Sequence, residues 1–164
     1  MTARFQLLRA IILLLVSAFL QGMWANAMRI GSAEPNFIIT FMLVAALFAD
    51  LQAAPWLGFA AGLIESSFLS VYLGSFLVSR SLVAAAVALL GDRFYIDRVE
   101  AAIPVVGIGT LLADGLFYLF APQYPFTVWG AQVLRETIYN VALAIPVFIL
   151  LHRFLWRRRA TLAH

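Results

Sequence analysis

Apolar residues run through this chain in continuous stretches, broken only by short polar turns, and that pattern constrains the fold more than any motif. Of 164 residues, 64% are hydrophobic and 12% charged. Soluble domains average about 45–50% apolar and about 25% charged residues, so the chain reads as an integral membrane protein. A membrane β-barrel would show alternating segments of about ten residues, which these runs do not. One helical span needs about 20 residues, which leaves room for six with short connections. The expected fold is therefore an all-α bundle of six transmembrane helices forming one domain over residues 1–164. The spans are placed at about 10–24, 35–49, 55–70, 72–90, 99–120 and 128–151. Pro35 is read as a first-turn residue of the second span. A cleavable leader is the rival reading of the first run, because Ala25-Asn26-Ala27 matches a small-x-small cleavage pattern.

Arginine placement orients the bundle. With six spans, Arg4, Arg9, Arg93, Arg98, Arg153, Arg157, Arg158 and Arg159 fall on one side and Arg29 on the other. The excess positive charge marks the cytoplasmic side, so both termini are expected there. Trp24, Trp56, Trp129 and Trp156 lie near span ends, as interfacial anchors do. The basic balance is thus explained by membrane topology, and nucleic acid is not an expected partner. Cysteine is absent, which excludes disulfides and thiol chemistry. Both histidines lie near the C-terminus, and no cofactor, metal centre or catalytic residue is expected. The inner loop GDRFYIDRVE, residues 91–100, is the largest polar surface between spans and a candidate docking site.

The remaining charges lie inside the apolar runs. A charge at a helix centre costs about 2.5–3.5 kcal/mol on insertion scales, so such groups face the bundle interior and take partners. At about 1.5 Å per residue, Glu65 and Arg80 reach a similar depth, as do Asp114 and Arg135. The expected pairs are Glu65–Arg80 and Asp114–Arg135, with Glu136 turned about 100° from Arg135 and nearer the interface. Gly58, Gly62 and Ser66 recur every four residues, the spacing that lets two helices approach closely. They form a candidate face for helix packing or a partner. Both Glu65 and Asp114 follow a glycine by seven residues, a spacing that could mark an internal repeat, although the arginines do not repeat with it.

Several segments in register resemble the rod-shape-determining protein MreD family of bacteria. They are Glu34-Pro35-Asn36-Phe37, then Gly58-Phe59-Ala60-Ala61-Gly62-Leu63-Ile64-Glu65, then Leu73-Gly74, Asp114, Ile145-Pro146 and a basic tail. The chain departs from the family pattern at Glu65, where Asp is usual, and at Ser66–Val71, where a glycine-containing turn is usual. Arg80 is not part of that pattern. The resemblance implies a non-enzymatic, multi-pass component of the bacterial inner membrane. It would belong to the elongasome, supporting cell shape and lateral peptidoglycan synthesis. The implied partner is an MreC-like protein, and through it MreB, RodA and a class B penicillin-binding protein. The family is also similar in fold to the substrate-binding subunits of energy-coupling-factor vitamin transporters. A transporter role would need an outer pocket, to which Tyr118, Gln123, Tyr124 and Gln132 could contribute. The sequence leaves a homo-oligomer open.

Overall fold

The computed structural model describes residues 3–29, 34–69, 72–93 and 99–153. Residues 94–98 of the inner polar loop and the tail bearing Trp156 and Arg157–Arg159 fall outside them. Every described element is helical: α1 (Ala3–Trp24), α2 (Phe37–Leu47), α3 (Ala54–Leu69), α4 (Leu73–Arg93), α5 (Val99–Phe120) and α6 (Phe126–Leu151). Of these, α4, α5 and α6 are long and apolar enough to cross a membrane. All three expose large apolar side chains, among them Leu82, Ile108 and Ile138, as lipid-facing helices do.

The second span differs most from expectation. Instead of a span over residues 35–49, α2 has 11 residues, all of them buried. At about 1.5 Å per residue it is roughly 16 Å long, about half of a hydrocarbon core. It is the central post of the bundle and packs against all five other helices. Its sequence, FIITFMLVAAL, is apolar on every face because every face meets protein. Its one polar side chain, Thr40, donates its hydroxyl hydrogen to the Asn36 carbonyl at 2.9 Å. Pro35 does not open the helix; Asn36 is the N-cap, and its side chain accepts from the Ile39 N–H at 3.0 Å.

Helices α3 and α4 make the most intimate contact. Gly58 lies against the Arg80 backbone, where a Cβ would come within 2.3 Å of the carbonyl oxygen. Gly62 lies against the Phe76 carbonyl, 2.7 Å from an added Cβ. Ser66, one turn further, is buried and returns its hydroxyl to the Leu63 carbonyl at 2.9 Å. At Gly58 and Gly62 the small-residue face is therefore filled by α4 of the same chain. Tyr72 enters α4 at φ 57°, a left-handed conformation that costs a side-chain-bearing residue roughly 1–2 kcal/mol. Its ring stands edge-on to Phe117 at 6.4 Å.

Candidate functional site

The C-terminal ends of α1, α3 and α5 meet the N-terminal ends of α2, α4 and α6 around one cavity of about 350 Å³. Successive helices therefore alternate in direction, and the cavity lies at the end of the bundle opposite the C-terminus of α6. Each helix or its cap contributes at least one polar side chain: Gln21, Asn36, Glu65, Arg80, Asp114, and from α6 Gln132 and Glu136.

Arg80 is the centre. Only 1% of it is exposed. Its Nε donates to Glu65 Oε2 at 2.8 Å and its Nη2 to Glu65 Oε1 at 3.0 Å, the bidentate fork that suits a guanidinium to a carboxylate. Nη2 also donates to Asp114 Oδ1 at 2.9 Å. Beneath the guanidinium lies the Phe76 ring, with its centroid 5.3 Å from the guanidinium carbon, and Phe76 is itself packed on Phe117 at 4.4 Å. A buried charge cluster of this kind is tolerable only when its members satisfy one another. Here the satisfaction is incomplete: Arg80 Nη1 and Asp114 Oδ2 are buried without a hydrogen-bond partner.

Asn36 ties the charged cluster to the rest of the bundle. Its Nδ2 donates to Glu65 Oε1 at 2.8 Å, and its backbone N–H donates to Asn140 Oδ1 at 2.9 Å. Asn140 in turn donates to Thr110 Oγ1 at 3.3 Å. The Phe37 N–H donates to Gln21 Oε1 at 2.8 Å. The first N–H groups of a helix have no partner within it, and burial would leave them costly. Gln21, Asn140 and the Asn36 side chain supply the missing acceptors from α1, α6 and the cap itself.

Three sequence expectations are revised here. Asp114 pairs with Arg80 through Oδ1, in place of the expected Arg135, and its Oδ2 has no hydrogen-bond partner. Arg135 is exposed, while Glu136, expected nearer the interface, lines the cavity. The two neighbours do point apart, but the acid is the inward one. Trp129, read as an interfacial anchor, is half-buried in the cavity wall, where it stacks on Tyr118 at 4.6 Å. Trp24 and Trp56 are exposed. Glu65 and Arg80 stand together as their depths suggest. Tyr118, Gln123, Tyr124 and Gln132 all line the cavity.

Sequence reasoning missed Asn140 and Gln21. Each is a neutral polar residue in an apolar run, a weaker flag than a charge. Asn36 had a stronger flag, since Asn directly before an apolar run is an N-cap signal. Among the described residues no group of three or more His, Cys, Asp or Glu is placed to hold a metal ion. Family models, curated proteins and solved structures were each compared with the chain, and none matches.

Proposed function

We propose that the chain is a six-span, non-enzymatic scaffold of the bacterial inner membrane, with both termini cytoplasmic. In this role it resembles MreD and supports rod shape and lateral peptidoglycan synthesis through an MreC-like partner. Through that partner it would reach MreB, RodA and a class B penicillin-binding protein. One observation carries the reading. Glu34, Pro35, Asn36, Glu65 and Asp114, all from segments behind the resemblance, come from separate parts of the chain yet line one cavity. Asn36, Glu65 and Asp114 are further joined through Arg80 in one hydrogen-bonded network.

A second reading is favoured by the cavity itself. A space of about 350 Å³ lined by aromatic and polar groups falls at the lower end of ligand-pocket sizes, about 300–1,000 Å³. That suits the substrate-binding subunit of an energy-coupling-factor type transporter. Depletion in the source bacterium separates the two. Rod-shaped cells that round up while keeping their nutrient requirements support the scaffold. Cells that keep their shape but acquire a nutrient requirement overturn it in favour of the transporter.

A further inference from the structure

The cavity wall is not electrically balanced. Glu65, Asp114 and Glu136 bring three carboxylates to it, and Arg80 brings one guanidinium. Glu34, at the rim, is paired with Arg29. Arg80 is engaged by Glu65 and Asp114 through Nε and Nη2, and its unpartnered Nη1 is itself buried, so an anion entering the cavity would meet carboxylates first. Asp114 is more than nine-tenths buried and its Oδ2 has no partner. Unmatched negative charge at membrane depth is costly, and it is relieved by a cation. Among the described residues no group of three or more His, Cys, Asp or Glu is placed to hold a metal ion. The same two helices that carry Asp114 and Glu136 also bring the stacked rings of Tyr118 and Trp129 to the cavity, and aromatic faces attract organic cations strongly once water is excluded.

We propose that this cavity binds a small organic ammonium group, its charge set against Asp114 and Glu136 and its carbon substituents against Tyr118 and Trp129. The group can come from a free amine or from a lipid headgroup at the same end of the bundle. The inference is independent of whether the chain is a scaffold or a carrier, because it is read on the purified protein rather than on cell shape or uptake.

The test uses the full chain in phosphatidylglycerol nanodiscs, titrated calorimetrically with choline, with ethanolamine and with the neutral isostere of choline in which carbon replaces nitrogen. Choline or ethanolamine is expected to bind, and the neutral isostere at least about tenfold more weakly. Glu136→Gln and Trp129→Ala are each expected to weaken binding by about tenfold or more, with unliganded thermal unfolding reporting that the variants fold. Should either variant fail to fold, the comparison of choline with its isostere on the unaltered chain decides alone. Repeating the titration in nanodiscs containing phosphatidylethanolamine identifies the source. Loss of free-amine binding by competition assigns the site to the headgroup, and unchanged binding assigns it to a free amine. Equal binding of the neutral isostere, or no binding of either ammonium in phosphatidylglycerol together with no effect of phosphatidylethanolamine on thermal stability, overturns the proposal.

Discussion

Gly58→Ala adds one methyl group at the tightest point of the bundle. The new Cβ would lie 2.3 Å from the Arg80 carbonyl oxygen, 2.6 Å from its carbon and 2.7 Å from the Ser81 Cα. All three are backbone atoms of a helix, so no side-chain rotation relieves the clash. To bring the contact with the oxygen out to 3.0–3.4 Å, α3 and α4 must part by roughly 0.7–1.1 Å. Overpacking of this kind costs about 1–3 kcal/mol, and Ala returns up to about 1 kcal/mol of helix propensity. Here the upper part of that cost applies, because the displaced carbonyl belongs to Arg80 and its movement also disturbs the fork with Glu65. The net loss is expected at about 1–3 kcal/mol. For a chain of this length each kcal/mol moves Tm by about 2–4 °C, so the midpoint should fall by roughly 2–12 °C.

The control is the same substitution where nothing is in the way. An added Cβ at Gly115, inside α5, meets no atom within 4 Å, so Gly115→Ala should leave Tm unchanged or raise it by up to about 4 °C. Both variants are purified in mild detergent and unfolded thermally, with no partner present. Gly62→Leu, against the Phe76 carbonyl, should fail in the same assay, because the face it blocks belongs to the chain's own hairpin. If Gly58→Ala unfolds no earlier than Gly115→Ala, the two helices do not approach this closely and the hairpin argument fails.

Arg80→Met leaves Glu65 and Asp114 as buried carboxylates without their cation and should cost about 3–5 kcal/mol. Adding Glu65→Gln and Asp114→Asn to the same chain should recover most of that loss in thermal unfolding. Double-mutant cycles should give a coupling above about 0.5 kcal/mol for Asp114 with Arg80 and near-additive effects for Asp114 with Arg135; the reverse result would restore the Asp114–Arg135 pairing. Asn140→Ala removes the acceptor of the part-buried Asn36 N–H and should cost about 1–3 kcal/mol, whereas an unchanged Tm would mean that this N–H has another acceptor. Reporter fusions at the C-terminus should be active only in forms that work in the cytoplasm, and activity confined to the periplasm would invert the proposed topology.

What the sequence made legible follows from what one dimension records. Helix type and most helix ends were readable because apolar length and breakers are local properties. The expected 99–120 coincides with α5, and the expected 128–151 starts two residues late because α6 begins directly after Pro125. Depth along the bundle was also readable, since rise per residue is fixed; this is why Glu65 and Arg80 meet. Azimuth was not. Asp114 shares a level with Arg80 as well as with Arg135, and only the packing of α4 against α5 decides between them. The error about α2 has the same root. An apolar run over residues 35–49 is equally consistent with lipid on its outside or protein on every side. The distinguishing feature is the polar apparatus at its start. A helix facing lipid can begin at the headgroups, where water satisfies its first N–H groups, but a helix enclosed by five others needs acceptors brought to it. Asn36, Gln21 and Asn140 are those acceptors, drawn from three separate parts of the chain. The same convergence places Glu65 and Arg80 beside the α2 cap. The cavity and the buried charge are therefore consequences of enclosing a short helix, and a change that lengthened α2 to the membrane surface would dissolve the site.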